Sequence, residues 1–234
     1  MRQSTIMAPG IVLLTASVLA LAGCGTSAGT TTKQNMYTIT EPVTSLKVYN
    51  PVGDTHIEGT DVSTVSVTEQ LSYTGNPPQT SHAIADKQLT LSYTCPSTVL
   101  NVNGCGVTYF VKVPRRIAIQ IDDKVGGATL TGLAGQLNLS ANTGNIDATG
   151  LTSESVTARA SAGEITLSFT APPTTVDART EVGSLTVRLP AGTAYAIDTG
   201  SQVGNVNVTV QRDSDSTHRI AAHSQVGSVA VTNG

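Results

Sequence analysis

Six glycines in the second half of the chain, Gly126, Gly144, Gly163, Gly183, Gly204 and Gly227, recur at intervals of 18, 19, 20, 21 and 23 residues. Aligning the chain on them aligns their surroundings. Two positions after each glycine stand Ala128, Ile146, Ile165, Leu185, Val206 and Val229, and four after stand Leu130, Ala148, Leu167, Val187, Val208 and Val231. Seven before stand Ile119, Leu137, Val156, Val176, Ile197 and Ile220; five before, Ile121, Leu139, Ala158, Ala178, Thr199 and Ala222. The positions between are Thr, Asn, Asp, Ser and Gln. Alternation with a period of two on both sides of the glycine reads as a strand, a corner and a second strand. A unit of about 20 residues cannot bury its own apolar face, so it must stack on its neighbours.

Rows of Val, Ile, Leu and Ala then make one narrow core, which accounts for a chain only 3% aromatic and without Trp. Branched residues suit a pleated surface, and glycine suits the corners. The expected fold is all-β: a single-stack β-solenoid or β-roll of about 20-residue, glycine-cornered repeats. A β-sandwich of short strands shares the composition but does not require alignable units. Residues 126–234 hold the repeats, continuous with an N-terminal β region at 37–125. There a looser copy surrounds Gly53, with Leu46, Val48, Val52 and Ile57 at apolar positions. An insertion after it carries Pro77-Pro78 and a hairpin signal, Asn103-Gly104, between Cys95 and Cys105. A disulfided hairpin here is expected to cap the stack, leaving the last coil as an open edge and candidate contact surface. Helical spacing is nearly absent, its best candidate being Ser81 to Lys87.

The N-terminus sets the compartment. The run from Ile11 to Leu21 is shorter than the roughly 20 residues of a membrane span. With Arg2 before it and small residues after it, it reads as a secretory signal. Leu21-Ala22-Gly23-Cys24 resembles the lipobox of bacterial lipoproteins. That resemblance implies cleavage before Cys24, diacylation of its thiol, and display on the outer face of the cell membrane. Residues 1–23 are then the signal, and 24–36 are the lipidated cysteine and a flexible tether holding the body roughly 20 Å from the lipid. Export also makes a disulfide the natural reading of Cys95 and Cys105.

The segments Thr180 to Val187, Ser201 to Val208 and Ser224 to Val231 resemble the repeats of the DUF4097 family of bacterial adhesin-like proteins. So do Arg188-Leu189-Pro190 and Val111-Lys112-Val113-Pro114. The likeness runs from about Leu46 to Val231. It implies a β-solenoid or roll on the cell surface and brings no catalytic residues with it.

Two sets of charged residues are candidates for chemistry. Asp177 and Asp198 occupy equivalent repeat positions and are expected about 4.8 Å apart on adjacent coils, close enough to share a proton or cation. Arg159 and Arg179, each four before a corner glycine, are expected to stack as a patch for an anionic glycan or lipid head group, unless Asp177 and Glu181 neutralise them locally. His56, His82, His218 and His223 are dispersed without metal spacing. No cofactor, metal or catalytic residue is expected. The net charge of −3, or about −4 once Arg2 leaves with the signal, and the lack of a basic stripe argue against nucleic acid. The expected function is non-catalytic: a lipid-anchored protein presenting its solenoid to a cell-wall or extracellular polymer or to another protein. A self-associating envelope protein is the alternative, and a glycan-processing enzyme a more distant one, since no carboxylate cluster is evident.

Overall fold

The computed structural model describes residues 29–96 and 104–234; Cys24 and the signal segment lie outside them. Every regular element among the described residues is a strand. In chain order these are β1 (Thr31–Ile39), β2 (Ser45–Val52), β3 (Thr55–Thr60), β4 (Val65–Tyr73), β5 (Gln79–Ala85), β6 (Gln88–Thr94) and β7 (Gly106–Pro114). Then follow β8 (Ala118–Val125), β9 (Ala128–Thr131), β10 (Leu137–Thr143), β11 (Ile146–Leu151), β12 (Ser155–Ala162) and β13 (Ile165–Phe169). The chain closes with β14 (Thr175–Val182), β15 (Leu185–Leu189), β16 (Ala196–Val203), β17 (Val206–Val208), β18 (Arg219–Val226) and β19 (Val229–Asn233).

Each glycine-cornered unit is one coil, its first strand in one sheet and its second in the facing sheet. One sheet runs β1-β4-β7-β3-β9-β11-β13-β15-β19-β17 and the other β16-β18-β14-β12-β10-β8-β2-β6-β5. Coils pair in parallel and in register, so equivalent residues form straight rows. Leu137 stands beside Ile119 and Val156, and Val156 beside Val176. These rows are buried between the sheets, and each fully buried Val, Leu or Ile contributes about 1.5–3 kcal/mol. The stack is a β-solenoid, as the repeat pattern predicts.

The corners explain the glycines. Gly144 has φ +148°, and a Cβ there would lie 1.9 Å from the carbonyl oxygen of Gly126 on the neighbouring coil. Gly53, Gly126, Gly163, Gly183, Gly204 and Gly227 are in the same position, with positive φ and a backbone carbonyl 1.9–2.2 Å from where the Cβ would sit. Hydroxyls from the adjoining coil occupy the corner interior: Thr180 Oγ1 donates to Gly163 O at 3.0 Å and Ser224 Oγ to Gly183 O at 3.0 Å. Corner carbonyls turned inward thereby find a donor.

Several expectations need correction at the ends of the stack. The two cysteines are disulfide-bonded, but they close a corner and not a hairpin: β6 and β7 lie in different sheets and form an extra coil beside β2 and β3. The cap is made by antiparallel additions, β4 with β1 on one sheet and β5 on the other. Ser81 to Lys87 is accordingly strand β5 and its turn, with Asp86 and Lys87 at positive φ. Of the stretch 24–36 expected to be a flexible tether, residues from Thr31 belong to strand β1, where Thr31 pairs with Tyr73. Val52 is exposed and not a core residue, since it stands at the corner beside Gly53.

At the other end the last coil is not outermost. The β18–β19 coil inserts between β14–β15 and β16–β17, so Val229 and Val231 are buried and the β16–β17 coil forms the open edge.

One polar cluster lies inside the first coils. Asp123 is fully buried; Thr55 Oγ1 donates to its Oδ1 at 3.1 Å, and Asn50 Nδ2 donates to Thr55 Oγ1 at 3.2 Å. Asp123 Oδ2 and Asn50 Oδ1 have no partner. Burial pushes the Asp123 carboxyl up to about 8 against the lowering effect of the Thr55 bond, so it is protonated at neutral pH. That proton brings a donor into a cluster otherwise short of one.

Candidate polymer-binding groove

On the outer face of the β16-to-β5 sheet, strands bend just before each corner. The ladder pairs Ala141 with Ala160 and Thr143 with Ala162 but skips Asn142 and Ser161; Glu181, Gln225 and Gln202 drop out in the same way. Register is kept across the gap, but the buried–exposed alternation breaks there. The last two residues before the corner on β8, β10, β14 and β18 are both exposed, so the strands bend at the same level. Because the coils are in register, the bends align into a straight groove of about 830 Å³. It crosses β8, β10, β12, β14, β18 and β16, and five strand spacings make it roughly 24 Å long.

The repeat assigns each part of the groove. One wall carries the residues four before each glycine: Ser140, Arg159, Arg179 and His223. The opposite wall carries those two before: Lys124, Asn142, Ser161, Glu181, Gln225 and Gln202. Ala141, Ala160, Thr180, Ser224 and Ser201 make the floor. The residues immediately before the glycines, Val125, Val182, Val226 and Val203, are exposed but do not line the groove.

Arg159 and Arg179 are direct neighbours in register on β12 and β14. Asp177 lies between them. Its Oδ2 accepts from Arg159 Nη2 at 2.9 Å and its Oδ1 from Arg179 Nε at 2.8 Å. Hydrogen bonding and charge attraction to Asp177 make Arg179 hold its proton more firmly. A guanidinium carries five N–H donors, so each arginine keeps four beyond this contact. Asp177 therefore fixes two forks in place while using little of their donor capacity. Of the neutralising pair expected from sequence, Asp177 makes these contacts; the ion pairs of the two arginines do not include Glu181.

Asp177 and Asp198 do not form a pair. Both stand opposite Ala221, on either side of β18, so the inserted coil separates them by two strand spacings. Asp198 instead lies 3.3 Å from His223 Nε2. His56 stacks on Phe110, His82 on Tyr37, and His218 meets the edge of Tyr195, which keeps the histidines dispersed over the molecule. Among the described residues no three His, Cys, Asp or Glu side chains are grouped as metal ligands.

Sequence reasoning found the two arginines but not the groove. Its signal was present as the positions two and four before each glycine, all hydrophilic except Gly200. A strict period of two treats those positions as plain outward faces and does not reveal the bend between them.

The coils that carry the groove, residues 119–232, match the family model Toastrack DUF4097. These matched coils are a Toastrack DUF4097 domain. Two solved structures resemble the whole arrangement, including the N-terminal coils. A protein of Clostridium sporogenes, titled a "putative cell adhesion protein", is 17% identical with a TM-score of 0.52, covering 87% of this chain and all of the other. A "putative adhesin" from Bacteroides fragilis is 15% identical with a TM-score of 0.55, covering 87% and 97%. At such identities the likeness is one of fold. No curated protein matches the chain. The coils β2–β3 and β6–β7 lie outside the matched residues and continue the stack by parallel pairing.

Proposed function

We propose that this chain is a lipid-anchored, non-catalytic protein of the bacterial cell surface whose Toastrack groove holds a linear surface polymer. The observation that carries this reading is the groove's course across six strands, with hydroxyl, amide or charged side chains on every one and guanidinium groups on β12 and β14. A repetitive trough open along its length suits a chain-like ligand better than a small molecule, which sites enclose in deep cavities. The adhesion-related titles of the two similar structures point the same way. Surface display rests on the lipobox-like Leu21-Ala22-Gly23-Cys24.

The test is retention of the purified protein on insoluble cell-wall polysaccharide. Wild-type protein should co-sediment, and Arg159→Ala/Arg179→Ala protein should stay in the supernatant while keeping the same thermal transition. Equal retention of both would remove the groove from the account.

A further inference from the structure

We propose that the polymer held by the groove is an acidic glycan lying along the solenoid axis, one sugar per coil, with its oxyanions on the Arg159–Arg179 pair. This rests on the polymer-binding reading above and adds the ligand's chemistry and direction.

Charge comes first. The chain has 13 Lys and Arg against 16 Asp and Glu, yet the groove lining has three cations, Lys124, Arg159 and Arg179, and one carboxylate, Glu181. Each of these cations already meets a carboxylate, Lys124 meeting Asp122 at 2.8 Å and both arginines Asp177, so what the groove offers an anion is the set of N–H donors these contacts leave free. Asp177 sharpens this: it takes one N–H from each guanidinium and sets both side chains against the wall. The donors left over match a carboxylate or sulfate, which guanidinium groups bind through paired N–H bonds.

The rest of the lining suits the remainder of a sugar chain. Ser140 and Asn142 on β10, Ser161 on β12 and Gln225 on β18 offer donors and acceptors to hydroxyls. Direction follows from register. Equivalent groups repeat across the strands at about 4.8 Å, close to the length of one pyranose unit in an extended chain. Along a strand, the groove is only as wide as one bend.

The experiment measures binding of the full-length protein to polygalacturonate, to the same polymer with its carboxyls methyl-esterified, and to polyphosphate. Polygalacturonate should bind, the esterified polymer at least about tenfold more weakly, and Arg159→Gln and Arg179→Gln should each cost about tenfold. Affinity for oligogalacturonides should rise with length and level off near five or six sugars, the number of strands crossed. Asp177→Asn separates positioning from charge: removal of a negative charge alone would tighten binding, whereas loss of the fixed forks weakens it. Equal binding of the esterified polymer overturns the acidic-glycan inference and leaves the polymer reading standing. Equal binding of polyphosphate overturns it too, because the groove would then read charge without sugar. Failure of these polymers and of cell-wall polysaccharide alike would remove both.

Discussion

Gly144 sits so close to Gly126 that a Cβ on it would lie 1.9 Å from the Gly126 carbonyl oxygen. The clash is with backbone, which cannot swing aside as a side chain can. Gly144→Ala should therefore destabilise the fold by about 2–4 kcal/mol, combining the unfavourable φ of +148° with displacement of a neighbouring coil. Gly75→Ala is the control, because Gly75 also has positive φ but nothing within 4 Å of a Cβ. Urea unfolding midpoints should fall much further for Gly144→Ala. Equal losses would mean that close stacking of corners is not what fixes glycine in the repeat.

Asp123 should make stability depend on pH in an unusual direction. Unfolded, its carboxyl ionises near pH 4; folded, burial holds it protonated up to about 8. The folded state thus keeps a proton that the unfolded state has lost, so this group favours folding below about pH 4. Its contribution falls as pH rises towards 8 and is constant above. The slope from this one group approaches about 1.4 kcal/mol per pH unit. Asp123→Asn should flatten the difference, gaining on wild type as pH rises through this window, as measured by urea unfolding at several pH values. A wild-type minus variant difference that does not change with pH would show that Asp123 is not buried as an acid.

The Cys95–Cys105 bond closes a short loop at the corner between β6 and β7. By the chain-entropy argument, the double variant Cys95→Ser/Cys105→Ser should lose about 2–3 kcal/mol. Reducing agent should destabilise wild-type protein to the same extent and leave the variant unchanged.

Much of this architecture was legible in the sequence, and what was not has definite physical causes. Rows such as Ile119, Leu137, Val156 and Val176 could be read because burial between two sheets demands apolar residues at a fixed distance from each glycine. Coil order could not. The coils around Gly204 and Gly227 carry the same pattern, so either fits beside Val176 and Val187, and the period does not record which one does. The 23-residue interval between them, the longest of the set, supplies the connection that lets the last coil turn back inside its predecessor. Strand β1 was hidden for another reason. It is an edge strand exposed over most of its length, held by backbone pairing with β4, and so has little apolar alternation to read. The separation of Asp177 from Asp198 and the groove itself both depend on coil order and strand bending, which lie beyond any periodicity.

The lipobox-like segment makes its own prediction. Cys24→Ser should stop lipid attachment, leaving the protein either unprocessed or released from the membrane fraction. Metabolic labelling with a fatty acid and cell fractionation check this. Labelling that persists in the variant would move the anchor elsewhere.

The groove is the centre of the account, and amide hydrogen exchange of the protein with and without bound cell-wall polysaccharide tests it most directly. Slowed exchange is predicted around Ser140 to Asn142, Arg159 to Ser161, Arg179 to Glu181 and His223 to Gln225, one short segment on each of four successive coils. Protection confined to the outer face of the other sheet, or to the open β16–β17 edge, would contradict it.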